Sequence, residues 1–226
     1  MLSKQFEVIW RGTTRWACWW LTVKKGAIEL EPAIITGQVF RMTIEKHFIS
    51  ADALLVDSIR LARLVHEAEF MPTHIVGVWR GGAPIGIAVQ EFLEYRGIET
   101  DHIAIRTSSY TGIGQQAKQV RVFGEGYLVD TLNAEDRLLI VDDVFDSGRS
   151  IEAILEVLRA KCRRNFPAET RIATVYYKPA RNVTALKPDF FVHECDDWLV
   201  FPHEICGLKP EEIAAKGEVG AEILKP

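Results

Sequence analysis

The chain has 226 residues, 48% hydrophobic and 26% charged, an ordinary globular composition that suits one α/β domain with a small appendage or two small domains. A net charge of −4 speaks against a nucleic-acid binder, which would carry a basic face. The cysteines at 18, 162, 195 and 206 fall in no C-x-x-C spacing, and no apolar stretch reaches the roughly 18 residues of a spanning helix, so zinc sites, a disulfide scaffold and a membrane span are set aside and the chain reads as cytoplasmic.

Residues 1–41 differ in character from the rest of the chain. They hold four of the six tryptophans (10, 16, 19 and 20) and a net charge of +3, against −7 for the remainder. The apolar run 16–23 follows Arg11 and Arg15 as in a signal peptide, but it is short, tryptophan-rich and lacks a small-x-small cleavage pattern. Met42 offers an alternative start. The reading adopted is an extension over 1–41 without a catalytic role, a domain over 42–208 and a tail over 209–226. A membrane or partner anchor is the other reading of the extension.

A helix is expected from about 51 to 68, capped by Ser50, with Asp52 in its first turn and Leu55, Ile59, Ala62 and Val65 facing the core. His66 on it reads as a surface or internally satisfied histidine. His74–Trp79 is a strand, followed by Arg80-Gly81-Gly82-Ala83-Pro84 and a helix from Pro84 to Tyr95. Strand, glycine turn and helix make an anion site: the glycines admit a ligand close to the backbone, and Arg80 adds a cationic fork. His102–Ile105 is a short strand ending at Arg106, which is either a cation of the site or an ordinary surface charge. Thr107, Ser108, Ser109 and Tyr110 lead into a polar, glycine-containing tract to 119, too long for a simple turn and read as a lid. Val120–Phe123 returns as a strand.

Leu138–Val144 is a buried strand, apolar except for the pair Asp142-Asp143. Asp146, Ser147, Gly148, Arg149 and Ser150 then supply a carboxylate, two hydroxyls, a glycine and successive N–H groups. A helix follows at once, with Ile151, Ile154, Leu155 and Leu158 on one face. Orphan N–H groups and the helix dipole both favour an anion there. Carboxylates do not bind phosphate directly, but they suit ribose hydroxyls or a Mg²⁺ ion bridging to phosphate oxygens. An apolar strand ending in Asp-Asp also occurs in response-regulator domains, though on their first strand, and in plain solvated turns. Neither accounts for the loop. Ile172–Tyr177 and Phe190–Val192 are two more strands. Lys178 follows the first, and the second leads to Trp198-Leu199-Val200-Phe201-Pro202-His203-Glu204. Asp196 and Asp197 argue for an edge position of Trp198 over a core one.

Residues 138–150 closely resemble the signature of the type I phosphoribosyltransferases, with Ser147 and Ser150 where that family often has threonine. The resemblance implies an α/β fold: a twisted parallel sheet flanked by helices, with a small C-terminal hood over about 178–206 that carries a base site. It implies that Asp142 and Asp143 hold the ribose hydroxyls of phosphoribosyl pyrophosphate (PRPP) and, directly or through water or those hydroxyls, Mg²⁺. Residues 146–150 would wrap the 5-phosphate, and Arg80, Gly81 and Gly82 would form the pyrophosphate loop, where family members often hold a strained or cis peptide. Ser109 and Tyr110 match a Ser-Tyr pair on a closing loop. Lys178 and Trp198 match the lysine and stacking aromatic of the purine branch. Leu199 would offer backbone groups to the base edge, and Glu204 an acceptor for position 2 unless it faces Mg²⁺-pyrophosphate or solvent. The implied reaction is Mg²⁺-dependent transfer of the phosphoribosyl group to hypoxanthine, guanine or xanthine in purine salvage. Asp146 would share the N7 proton, Arg80 and Arg106 would stabilise departing pyrophosphate, and the enzyme would be a dimer or tetramer. A transferase for another nucleobase, or a non-catalytic sensor of PRPP or a nucleotide, are the other readings of the same fold.

Overall fold

The computed structural model describes residues 19–24, 27–32, 46–110 and 119–225. The chain divides into two units, Met1–Glu45 and Lys46–Pro226. In the first, β1 (Trp19–Lys24) and β2 (Ala27–Pro32) pair antiparallel, with Trp19 opposite Pro32 and Lys24 opposite Ala27. The remainder of 1–41 lies outside the described residues.

The second unit opens with β3 (Lys46–Phe48) and α1 (Ala51–Glu67), whose first turn is capped by the Ser50 hydroxyl accepting the Ala53 N–H at 3.1 Å. The expected stripe on α1 holds at Ala62 and Val65, which are buried, and in part at Ile59, which is half-buried, but fails at Leu55. Leu55 is 57% exposed, and the buried side chains are Leu54, Asp57, Ser58, Leu61, Ala62 and Val65. Two polar residues on the buried face disguise its period.

Then come β4 (His74–Trp79), α2 (Gly82–Tyr95), β5 (Asp101–Tyr110), β6 (Gln119–Phe123), α3 (Gly126–Thr131), β7 (Arg137–Phe145), α4 (Arg149–Cys162), β8 (Glu169–Tyr177) and β9 (Phe190–Glu194). After these come β10 (Trp198–Val200), α5 (Pro210–Ala214) and α6 (Glu218–Ile223). The sheet order is β6-β5-β4-β7-β8-β9, parallel except for the edge strand β6. Side chains alternate across it. Leu139 and Val141 of β7 join a core with α1 and α2, while Leu138 and Ile140 join a second core with Leu128 of α3 and the Ile151, Ile154, Leu155 and Leu158 face of α4. An α/β sheet covered on both faces results.

Two sequence expectations change here. Residues 107–110, read as the start of a loop reaching 119, instead continue β5 and pair antiparallel with 119–123. Residues 111–118 lie outside the described residues. The hood is also not purely C-terminal: β10 pairs in parallel with β3, Trp198 against Lys46 and Val200 against Phe48.

The strand order reverses between β4 and β7. From β4 the chain crosses to β5 on one side, and from β7 it crosses to β8 on the other. A crevice opens outside the carboxyl ends of the strands at such a point. The loops after β4 and β7 both lie there, which puts residues 79–82 beside 142–150 although some sixty positions separate them in sequence.

Candidate functional site

The β4–α2 loop begins with a cis peptide between Trp79 and Arg80, a geometry that the resemblance raises for this loop but that the sequence itself does not show. Arg80 is exposed. The glycines also have a packing role within the fold. A Cβ at Gly81 would lie 1.8 Å from Asp143 Oδ2, and one at Gly82 would lie 2.3 Å from the Val141 carbonyl oxygen. What approaches this backbone is the end of β7, so the Gly pair docks one loop against the other strand. Arg106 pairs with Trp79 across β4–β5, one position from Arg80. It is exposed, and its guanidinium lies 5.9 Å from the Phe123 ring centroid.

The two acids at the end of β7 differ. Asp142 lines a cavity with Val144, Phe145, Asp146, Ser147, Gly148, Ser150 and Ile151. Its Oδ1 accepts the Asp143 N–H at 3.0 Å. Burial, and then the neighbouring Asp143 carboxylate, push the Asp142 carboxyl well above the usual carboxylate range. Asp143 instead accepts the Val144 N–H at 2.8 Å through Oδ1, lies against Gly81, and has His203 Nε2 3.5 Å from Oδ2. Among the described residues no group of three or more His, Cys, Asp or Glu side chains could cage a metal. Two adjacent carboxylates still suit Mg²⁺, which keeps waters and is usually held by one or two carboxylates together with substrate phosphates.

The cradle is formed where β7 meets α4. Gly148 caps the helix in the left-handed region at φ +79°, and the Glu152 N–H donates to its carbonyl at 3.0 Å. A Cβ there would also lie 2.4 Å from Thr184 Oγ1, because the segment after β8 packs on the loop. The Val183 N–H donates to the Ser147 carbonyl at 3.2 Å. Ser147 and Ser150 are half-buried, and Arg149 is exposed on the first turn of α4. Asp146 lies 3.0 Å from Arg181 Nε and 3.7 Å from Lys178 Nζ. Sequence reasoning misses Arg181. It comes three residues after Lys178, a one-turn spacing that offers the only available cue.

Lys178 is buried, and its ammonium also donates to the Asp197 carbonyl at 2.7 Å. It therefore spans from the cradle to the stretch that carries the hood strand. Trp198, next along, is 51% exposed, which removes the core reading of that residue. Leu199 is buried and pairs with His47. Glu204 is committed locally: its Oε2 accepts the Phe201 N–H at 3.0 Å, closing the turn after β10. The sequence suggests a free acceptor for a ligand there, and a turn-closing carboxylate gives no sequence signal distinct from one. The backbones of Ser109 and Tyr110 lie on β5 opposite Val120 and Gln119, and their side chains are outside the described residues.

The Phosphoribosyl transferase domain family matches residues 50–207. The hypoxanthine-guanine phosphoribosyltransferase of Lactococcus lactis is 28% identical over 148 residues, 65% of this chain and 75% of that protein. The xanthine-guanine phosphoribosyltransferase of Cereibacter sphaeroides is 29% identical over 139 residues, 58% and 68% of the two chains. The crystal structure of a purine phosphoribosyltransferase from Pyrococcus horikoshii superposes with a TM-score of 0.57 at 23% identity, covering 73% of this chain and 97% of that one.

Proposed function

The chain belongs to the phosphoribosyltransferase family, and from that premise we propose that it transfers the 5-phosphoribosyl group of PRPP to a 6-oxopurine, releasing pyrophosphate. The observation that carries the purine assignment is Lys178, a buried ammonium between the Asp146 carboxylate and the carbonyl of Asp197, the residue just before Trp198, whose indole is exposed. A lysine donates only, so it rewards an acceptor at position 6 of a base stacked on that indole. The two sequence relatives are a hypoxanthine-guanine and a xanthine-guanine enzyme, which supports the same class.

In this reading the N–H groups and hydroxyls of 147–150 receive the 5-phosphate at the start of α4. Asp142 and Asp143 accept from the ribose hydroxyls. They would also hold a Mg²⁺ ion carried by PRPP, which supplies neutralising charge for the leaving group. Arg80 and Arg106, at the ends of neighbouring strands, put two cations where pyrophosphate charge grows. Asp146 takes the N7 proton as N9 attacks C1 of the ribose. It already faces two cations, so a bound base competes with Lys178 for this carboxylate and gives Lys178 its 6-oxo group in exchange.

Every residue given a role in this transfer lies after residue 79, so the proposal assigns residues 1–41 no part in it. A chain begun at Met42 keeps its turnover and melting temperature, and loss of soluble protein on that truncation would reject the assignment. The function itself is tested by incubating the protein with PRPP, Mg²⁺ and each of hypoxanthine, guanine, xanthine, adenine, uracil and orotate. Nucleoside monophosphate formed from a 6-oxopurine is expected. Transfer to a pyrimidine alone identifies a different transferase, and PRPP binding without transfer to any base identifies a sensor.

A further inference from the structure

Trp198 has two faces, and one of them is already taken. In the β3–β10 pair Lys46 stands directly across from Trp198, and its ammonium lies 5.9 Å from the indole centroid. A cation within about 6 Å of a tryptophan face is held by the ring quadrupole. The ammonium does not reach that position unaided. It donates to Glu212 Oε1 at 2.6 Å. Glu212 sits in the first turn of α5, where its other oxygen, Oε2, accepts the Lys209 N–H at 2.9 Å. Hydrogen bonds from Lys46 and from that backbone N–H hold the carboxyl below the usual carboxylate range. Four residues on, Lys216 Nζ donates to the Phe201 carbonyl at 2.7 Å, fixing the same stretch of tail to the turn after β10.

We propose that the C-terminal tail is part of the base site, with Glu212 and Lys46 as positioning residues that orient the Trp198 indole and close one of its faces, leaving the opposite face to stack on the purine. The inference rests on the reading of Trp198 as the stacking residue. Lys46 and Glu212 touch neither base nor PRPP. They act by fixing one rotamer of a half-exposed side chain before the base arrives. An unanchored indole would lose that freedom on binding, which costs a few-fold in affinity.

The test compares Glu212→Gln, Lys46→Met and Lys46→Arg with the unaltered protein, using the base that the unaltered protein accepts. Glu212→Gln and Lys46→Met should raise the KM for the base roughly three- to tenfold, with kcat and the KM for PRPP held within about twofold. Lys46→Arg keeps a cation for both the carboxylate and the ring, and should restore the base KM. Melting temperatures show whether each variant is folded, and a loss of folded protein would lower the apparent kcat while leaving both KM values unchanged. A base KM unchanged in both Glu212→Gln and Lys46→Met, with transfer intact, overturns the role of the tail alone. Equal rises in the KM for base and for PRPP also overturn it. Absence of transfer by the unaltered protein overturns this inference together with the proposed function.

Discussion

Nine consecutive residues, Asp142 to Ser150, supply the acids, hydroxyls and helix start of the cradle, whereas the hood side draws Lys46, Lys178, Trp198 and Glu212 from four separate stretches of chain. A contiguous site is fixed by local rules. An apolar strand must end, a left-handed glycine turns the chain, and an amphipathic helix begins with its N–H groups toward the crevice. A dispersed site depends on strand pairing and on ion pairs between distant segments, which leave no spacing in the sequence. The cradle should therefore answer to single substitutions with losses of chemistry, and the hood with changes of preference.

The largest effect falls on the cradle. Asp146→Asn keeps the shape and removes the proposed proton acceptor, so turnover should fall roughly 10²–10⁴-fold. Asp146 is about a third exposed, 37% for the side chain, and a partly exposed ion pair contributes at most about 1 kcal/mol, so the melting temperature should barely move. Near-unaltered turnover would remove Asp146 from the chemistry and break the contrast at its strongest point.

Across the crevice, Lys178→Met should leave transfer in place but erase discrimination. A buried donor without a partner costs about 1–3 kcal/mol, so the unaltered protein should prefer hypoxanthine over adenine by roughly ten- to a hundredfold. Competition between the two bases should show that ratio falling toward unity in the variant. A preference that survives the substitution would move the reading of position 6 to another group.

Gly81 and Gly82 separate docking from binding within one loop. A Cβ at Gly81 meets the Asp143 carboxylate, which can swing, whereas one at Gly82 meets the Val141 carbonyl, which is backbone and cannot. Gly82→Ala should accordingly destabilise the fold by about 1–3 kcal/mol. Gly81→Ala should displace Asp143 and weaken PRPP binding by roughly tenfold with a smaller loss of stability. Calorimetric titration of PRPP with Mg²⁺, beside thermal melts, distinguishes the two. The opposite pattern would mean that the loop holds Asp143 only incidentally.

Much of this architecture is legible in the sequence. The strand–acid–loop–helix order over 137–162 and the second anion loop after β4 arise from apolar runs, glycines and helical periodicity, which act within a few residues. The misreadings share a cause. Leu55 reads as core because Asp57 and Ser58 on the true buried face break the pattern, and buried polar residues with partners look like surface in a sequence. The continuation of β5 through Tyr110 depends on pairing with β6 rather than on the propensity of a Thr-Ser-Ser stretch. The approach of His203 to Asp143, the Arg181–Asp146 pair and the β3–β10 pairing are all tertiary.

Asp142 gives the smallest and most specific test, because in it the site works against the fold. Burial and the Asp143 carboxylate raise its pKa, so the folded protein binds this proton more tightly than the unfolded chain does. The stability that this preference contributes is complete below the unfolded value of about 3.9 and is lost as pH rises through the folded value. Above it, the ligand-free protein carries two adjacent carboxylates, a charge that ribose hydroxyls or a bound cation would relieve. Asp142→Asn keeps the oxygen that accepts the Asp143 N–H and removes the charge. Melting temperatures recorded from mild acid to neutral pH should decline more steeply in the unaltered protein than in the variant. At neutral pH the ligand-free variant should melt higher, by a few degrees for each kcal/mol relieved in a domain of this size. PRPP with Mg²⁺ should then raise the melting temperature of the unaltered protein and leave the variant where it was. Parallel pH profiles would mean that the Asp142 charge is relieved within the protein itself, and the cradle would lose the one residue whose cost to folding marks it as a binding group.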